Sequence, residues 1–248
     1  GRPFVRYMPS KFLLNLYNEN DDARYNGTFK TVWLCNRAGS YKKKVGTTDV
    51  NITLKIGDTA IVATKYEISD EVDMSRKYLI IDDSKMYKSD GTANGNAMFV
   101  ALQKFDDPTR PTFNEAQSGR DAFILRLADI YLIAAEAELN LGNKVKAAEL
   151  INVVRTRAAL PGKTANMQIT ANDVTIDFIL DERARELAGE QWRWFDLKRT
   201  GKLIDRVKKF NPMAAPFIQD FHNVRPIPQK QIDAVTNKSE FAQNPGYK

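Results

Sequence analysis

The chain of 248 residues has little of the two residue types that most often build catalytic and metal sites, with one cysteine and one histidine. The single Cys35 excludes an internal disulfide and any site of several cysteines, and its apolar neighbours predict a buried, inert thiol. With His222 alone the HExxH metal motif is impossible, and its coil setting favours a structural or surface histidine. The sequence therefore predicts no catalytic residues and no metal site.

Long apolar runs and nucleotide-binding motifs are also missing. No apolar stretch reaches the ~20 residues that a membrane-spanning helix needs. Neither GxxxxGK[ST] nor GxGxxG occurs, so we expect no phosphate-cradling loop and no cofactor. The opening Gly1-Arg2-Pro3-Phe4 does not have the basic start and apolar block of a signal peptide, and we expect any targeting segment to lie outside this chain.

The chain has a positive net charge that is not concentrated in one segment. The chain has 37 Lys and Arg against 31 Asp and Glu, a net charge of +6 that is spread along the sequence. This distribution argues against a nucleic acid as partner. Lys42-Lys43-Lys44 is the only cationic run and predicts a solvated loop. Asp70-Glu71-Val72-Asp73 does not fit the twelve-residue calcium loop of an EF-hand, and paired carboxylates alone do not indicate a glycosidase.

The most strongly patterned stretch, residues 121–162, predicts two helices joined by a tight turn. Gly142 ends the first helix, and Asn143 begins the second. Two helices with so short a connection pack against each other, as in one tetratricopeptide unit. A single unit cannot bury both of its faces, so it needs neighbours. The predicted inward faces are Phe123, Leu127, Ile130, Ala134, Ala137 and Leu141 in the first helix, and Ala147, Ile151, Val154 and Ala158 in the second.

Shorter elements are predicted around this pair. Residues 10–17 have the pattern of a short helix capped by Ser10, and Thr170 to Asp173 has the form of a capping box before a helix that runs to about Ala188. Residues 190–200 predict a further helix whose Trp192, Trp194 and Phe195 pack in a core. Alternating or β-branched runs predict short strands around residues 52–56, 60–66, 78–81 and 98–102. The predicted fold class is mainly α, with tetratricopeptide-like helix pairs, long irregular loops and a few short β-strands.

Aromatic side chains in irregular segments are the best candidates for ligand contact. An exposed ring can stack on the C–H face of a sugar, and amide or guanidinium groups beside it can bond the hydroxyls. Trp33 and Tyr41 flank a turn-like polar stretch that contains Asn36 and Arg37. We therefore predict Trp33, Asn36, Arg37 and Tyr41 as ligand-binding residues.

Three stretches together resemble the SusD/RagB family. The first is ILRLADIYLIAAEAELNLG followed by KAAELINVVRTRA, and the third is the ending RPIPQKQI with QNPGY. The second, DERARELAGEQWRWFDLKRTG, fits the family line ER-x-x-EL-x-x-E-x-x-R-x-x-DL-x-R through Glu182, Arg183, Glu186, Leu187, Glu190, Arg193, Asp196, Leu197 and Arg199. We interpret six of these residues as a partly buried ion network between helices, in which loss of one member destabilises the fold, namely Arg183, Glu186, Glu190, Arg193, Asp196 and Arg199.

The resemblance implies a non-enzymatic surface lipoprotein of the bacterial outer membrane. Members of this family bind glycans and deliver them to a SusC-like TonB-dependent outer-membrane transporter. The lipid anchor that would associate it with the membrane is not expected in this chain, because Cys35 lies inside an apolar run. The open alternative is a tetratricopeptide-type protein-interaction scaffold that does not bind sugar.

The resemblance also implies a domain organisation. Residues 1–248 would be a single SusD-like C-terminal domain, and the N-terminal half of the family would be absent. Its parts would be an opening helix with loops, a region of loops and short strands, a helical core and an extended tail, over residues 1–30, 31–120, 121–200 and 201–248.

Overall fold

A computed structural model describes residues 7–112, 115, 117–237 and 239–247. The opening Gly1-Arg2-Pro3-Phe4, from which we expect no signal peptide, lies outside these residues. The chain forms two compact units, residues 1–192 and 193–248. The organisation as one domain with four parts stays a prediction.

Helices account for most of the regular structure in the described residues. About 39% of the chain is helical and 14% is strand, so the prediction of a mainly α fold is confirmed. The described helices are α1 (Lys11–Asn15), α2 (Arg24–Thr28), α3 (Asp70–Ser75), α4 (Asp83–Met86), α5 (Leu127–Asn140), α6 (Lys144–Ala158), α7 (Thr164–Met167), α8 (Ile176–Glu186), α9 (Arg193–Arg199), α10 (Leu203–Phe210) and α11 (Gln229–Ala234). No helix in the described part of the chain has the length and apolar character that crossing a membrane requires.

The strands are short and form small separate sheets. They are β1 (Phe29–Lys30), β2 (Val32–Leu34), β3 (Gly39–Val45), β4 (Thr48–Leu54), β5 (Thr59–Ala63), β6 (Leu79–Ile81) and β7 (Ala101–Leu102). Strands β3 and β4 form an antiparallel hairpin, β1 pairs with β7, and β5 lies between antiparallel β2 and parallel β6. The strand predictions are confirmed in position, with ends that differ by a few residues.

The predicted helix pair is formed by α5 and α6. Gly142 sits between them with a φ of +84°, a left-handed conformation that other residues adopt only with strain. Leu132 and Ala135 of α5 are fully buried in one cluster with the α6 residues. All four residues predicted to face inward in α6 are buried, namely Ala147, Ile151, Val154 and Ala158.

The predicted inward face of α5 is wrong. Leu127 is 68% exposed and Leu141 is 74% exposed, whereas Leu132, Ala135 and the carboxylates of Asp129 and Glu136 are buried. The physical reason is that α5 is apolar on both of its faces, so periodicity alone could not choose between them. The face that packs against α6 and α8 is the one opposite to the prediction.

A second core lies in the first part of the chain. Ser10 caps α1 by accepting a hydrogen bond from the backbone N–H of Leu13, as predicted. Behind α1, the ring of Tyr17 packs edge to face with those of Tyr25 and Phe29 at centroid distances of 5.8 Å, and the rings of Tyr25 and Phe29 are tilted at 5.4 Å. Strands β5 and β6 contribute to the same cluster. A small third cluster surrounds Cys35, Ile52 and Leu54, which confirms the buried thiol.

Two other local predictions need correction. Lys43 does not lie in a solvated loop but in strand β3, where it is buried and its ammonium donates to Asp73 Oδ1 at 2.8 Å. Thr170 forms the predicted capping box with Asp173, yet this box begins a short 3-10 helix, and α8 starts later with Thr175 as its cap. For Lys43 the distant partner Asp73 outweighs the solvated loop that the cationic run predicts. For α8 a second cap, Thr175, sets the start of the helix.

Within the second unit, residues 201–248, which we predict as an extended tail, contain the helices α10 and α11. Helix α10 forms there because Leu203, Val207 and Phe210 recur at helical spacing. Trp194 lies under the guanidinium of Arg225, whose Cζ is 5.0 Å from the ring centroid. Phe195 is 57% exposed, so its predicted place in a core is wrong.

Candidate functional site

The four predicted ligand residues lie on and before the β3–β4 hairpin. Tyr41 is 40% exposed on β3, and its hydroxyl donates to the carbonyl oxygen of Arg37 at 2.5 Å. Arg37 and Asn36 are exposed in the segment before β3. This hydrogen bond keeps Arg37 beside the ring of Tyr41. An exposed ring with polar groups next to it suits sugar stacking.

Trp33 lies in a different environment. It belongs to β2, pairs with Ile61 of β5, and packs against the core around Tyr17 and Tyr25. Its indole is therefore half-buried and supports the sheet. The structure brings Arg37 and Tyr41 into contact and places Trp33 against a core, while the ligand role of all four residues remains a prediction.

A second candidate site is a cavity of about 290 Å³ in the first unit. Helices α2, α6 and α8 contribute to its wall, together with the segment that precedes α5 and the segment that follows β7. Its lining contains five cationic side chains and one aromatic ring, the full set being Arg24, Gly27, Thr28, Lys104, Phe123, Arg126, Arg157, Arg185 and Glu186.

Carboxylates of α8 and of the turn after it form the buried floor of this region. Glu182, Glu186 and Glu190 follow one another at helical spacing, and their side chains are 0%, 2% and 2% exposed. Thr175 begins the helix by accepting the N–H of Phe178, and Gly189 follows its end with a φ of +81°. Leu102 packs so close to Gly189 that a side chain there would collide with it.

Arg24 joins α2 to α8. Its Nη1 lies 2.8 Å from Glu182 and 3.0 Å from Glu186, and its Nη2 lies 2.7 Å from Asp22. Asp22 also accepts the backbone N–H of Arg24 at 2.9 Å, so the same carboxylate holds both the backbone and the side chain of the first residue of α2. The arrangement fixes the guanidinium at the wall of the cavity.

Arg126 holds the residues before α5 against α8. Its Nε donates to both carboxylate oxygens of Glu190, at 3.0 and 2.8 Å, and its Nη2 lies 2.8 Å from the same carboxylate. Its Nη1 donates to Glu186. Lys104 lies 2.6 Å from the Glu190 carboxylate and donates to the carbonyl oxygen of Glu186 at 2.8 Å. Bidentate arginine contacts of this kind are both strong and geometrically specific.

The remaining cations of the network come from α6 and from α8 itself. Arg155 bonds Glu182 at 2.7 Å and Arg157 bonds Glu186 at 2.5 Å. Arg185 bonds Glu182 at 2.6 Å and lies with its Cζ 5.7 Å from the ring centroid of Phe178. Of these three, Arg157 has the most exposed side chain, at 58%.

The pKa shifts follow from burial and from these contacts. Burial alone would raise the pKa of Glu182, but the guanidiniums of Arg185, Arg24 and Arg155 outweigh it and lower the pKa to about 2. Burial would also raise the pKa of Glu186, but nearby guanidiniums, with Arg24 contributing most, lower that pKa overall. Burial lowers the pKa of Lys104, and its bond to Glu190 offsets only part of that effect.

The predicted ion network is thus present but extends beyond the motif that suggested it. Glu186 and Glu190 take part as expected, and Arg183 bonds Asp129 of α5 at 2.7 Å. In the second unit Asp196 bonds Arg199 at 2.9 Å. Most cations of the network could not be predicted from the sequence, because no local pattern links them to α8. They are Arg24, Lys104, Arg126, Arg155 and Arg157.

Candidate metal and catalytic groups have ordinary structural partners. Within the described ranges, no three His, Cys, Asp or Glu side chains are placed to hold a metal ion. The Asp73 carboxylate is engaged by Lys43 at 2.8 Å and Lys85 at 2.7 Å. His222 accepts the backbone N–H of Gln219 at 2.9 Å through Nδ1.

Comparison with known proteins defines the class. The profile of the SusD family matches residues 1–247. Three SusD-like proteins of Formosa agariphila are similar: P38 is 29% identical over 168 residues, P25 is 35% identical over 154, and P2 is 33% identical over 144. These matches cover 62%, 59% and 54% of this chain and 32%, 28% and 27% of the respective relatives. The chain belongs to the SusD family, and it spans about a third of the length of these relatives.

Proposed function

We propose that this chain is part of a protein that binds glycans at the bacterial cell surface and passes them to a SusC-like TonB-dependent outer-membrane transporter. The observation that carries the proposal is membership of the SusD family over residues 1–247. The proposed location is the outer membrane, with attachment through a lipid anchor. We propose these roles for the whole protein, because the relatives are about three times as long as the part that this chain matches.

We infer that the role is binding without turnover. The lone His222 is held by a backbone contact, and the buried carboxylates of α8 are bonded to cations. A carboxylate whose pKa is lowered to about 2, as at Glu182, is poorly suited to protonate a leaving group near neutral pH. Incubation of the chain with oligosaccharides should therefore release no new reducing ends.

The hairpin supports the proposal through the ring of Tyr41 and the adjacent groups of Arg37 and Asn36. Replacing Tyr41 by Ala should weaken glycan binding about fivefold, since a well-placed aromatic contact contributes about 1 kcal/mol. Trp33→Ala should weaken binding as well, but it also opens the core, so Tyr41→Ala separates the two effects better.

Isothermal titration calorimetry with a panel of oligosaccharides measures the Tyr41 effect. Tyr66→Ala is the matched control, because Tyr66 is also an exposed tyrosine, at 53%, and lies outside the hairpin. Equal affinities of the wild-type and Tyr41→Ala chains for every glycan would remove the hairpin from the binding site.

The outer face of α5 favours a scaffold role for this helix, in which it stacks on a further helix pair. Large apolar residues cover this face and the segments beside it, namely Phe123, Ile124, Leu125, Leu127, Ile130, Ile133, Leu141 and Val145. A helix that is apolar on both faces is usually covered on both. The proposed occupant is a further helix pair from sequence outside residues 1–248, because the relatives have ample length for one and repeat units stack on their neighbours.

A further inference from the structure

The cavity described above has an unequal arrangement of charge. Among the described residues, five cations line it with a single carboxylate, Glu186. The carboxylates that these cations bond are at most 3% exposed, whereas the cationic side chains have exposures from 9% to 58%. The ion network around the cavity also has an excess of cations, six against four carboxylates, the cations being Arg24, Lys104, Arg126, Arg155, Arg157 and Arg185 and the carboxylates Asp22, Glu182, Glu186 and Glu190. A ligand that enters from solvent therefore meets positive charge.

We propose that this cavity binds the carboxylate or sulfate group of an acidic sugar residue, with Arg157 and Arg126 as donors and Phe123 as the stacking surface. The inference rests on the proposed glycan-binding function and assigns a ligand class to it. Guanidinium groups suit both anions, since their planar N–H edge matches a pair of oxygens.

Arg157 is the best placed of these donors. One nitrogen, Nη2, bonds the buried Glu186, and more than half of the side chain is exposed at the mouth of the cavity. A guanidinium has five N–H donors, so a group bonded on one side can still donate on the other. The bond to Glu186 also orients the side chain in advance, which lowers the entropy cost of binding.

Phe123 supplies the apolar part of a sugar site. Its ring lines the same cavity, is 54% exposed, and is steadied by Phe105 at a centroid distance of 6.0 Å. A sugar ring has an apolar C–H face and a polar edge, so an aromatic ring beside guanidiniums matches both. The volume of about 290 Å³ is at the lower end for small-molecule sites. It fits one sugar residue better than an extended chain.

The simplest rival interpretation is that these cations serve only to hold α8 in place. Arg157→Gln distinguishes the two, because Glu186 keeps its contacts with Arg24 and Arg126 when Arg157 is lost. The fold should therefore survive the change. Arg76→Gln is the matched control, because Arg76 is an exposed arginine outside the cavity lining and its loss changes the net charge equally.

The test is calorimetric titration of the 248-residue chain with two matched pairs of probes. One pair consists of uronate tetrasaccharides and their methyl esters, and the other of sulfated galactan tetrasaccharides and their desulfated forms. The esters and desulfated forms keep the sugar backbone and remove its charge. Thermal unfolding of each variant verifies that it is folded, and Phe123→Ala serves as a second cavity variant.

We expect at least one acidic probe to bind about tenfold more tightly than its neutral form, as one charge-assisted contact would give. Arg157→Gln and Phe123→Ala should each remove most of that difference, and Arg76→Gln should not. Equal binding of charged and neutral forms, or a preference that survives both cavity variants, would overturn the inference and leave glycan binding intact. Binding of no glycan at all would overturn both proposals.

Discussion

Glu182 is the residue on which the ion network of the first unit is centred. Its side chain has no exposed surface, and it accepts hydrogen bonds from Arg24, Arg155 and Arg185, which belong to α2, α6 and α8. Removing one partner of such a buried group costs far more than the pair contributes, because the remaining charges lose their compensation.

We therefore expect Glu182→Gln to lower the free energy of unfolding by about 3–5 kcal/mol, measured by urea denaturation. Glu149→Gln is the control, because the Glu149 side chain is 59% exposed and pairs across the surface with Lys146. Such a change should stay within about 0.5 kcal/mol. Similar small losses in both variants would show that the Glu182 network contributes little to stability.

The same residue predicts a pH dependence. The pKa of Glu182 falls from 4.5 to about 2 in the folded chain, so its contribution to stability is present above pH 4.5 and is lost as the pH drops towards 2. We expect the free energy of unfolding to fall over this window, and to fall less steeply in Glu182→Gln. Parallel pH profiles of the two proteins would contradict the assignment.

At the scale of residues, features that depend on neighbouring positions could be predicted from the sequence, and contacts between distant positions could not. Ser10, Gly142 and Cys35 behave as expected because a cap, a left-handed turn and a buried thiol each depend on a few neighbouring residues. Lys43 does not, since its partner Asp73 lies thirty positions away. Contacts at that separation leave no periodic trace in the sequence.

Helix α5 shows the same limit at the scale of an element. Its existence and its end at Gly142 were predictable from spacing and composition. Its buried side was not, because apolar residues occupy both faces and only the position of α6 and α8 selects one. The proposed scaffold role depends on the other face.

That role predicts a difference between two chains. In the 248-residue chain, Ile130→Ser should lower the free energy of unfolding by less than about 1 kcal/mol, since Ile130 is 43% exposed, whereas Leu132→Ala should lower it by about 2–5 kcal/mol. In a chain extended by native flanking sequence, Ile130→Ser should become as costly as a core substitution. Denaturation of both lengths measures this, and an unchanged small effect in the longer chain would leave the outer face without its proposed occupant.

At the scale of the whole molecule, the family was recognisable from motif residues that prove to be structural. The line through Glu182, Glu186 and Glu190 identifies the fold because these carboxylates organise α8 and its partners. Ligand specificity has no such signature. The cavity combines residues from five separate parts of the chain, and only the folded arrangement brings Arg24, Arg126 and Arg157 together.

The central claim is that this chain binds glycans, and calorimetric titration with neutral and acidic oligosaccharides tests it most directly. We predict saturable binding of at least one glycan. We also predict a loss of affinity in Tyr41→Ala or Arg157→Gln and none in Tyr66→Ala or Arg76→Gln. A folded chain that gives no saturable heat with any glycan of the panel would contradict it.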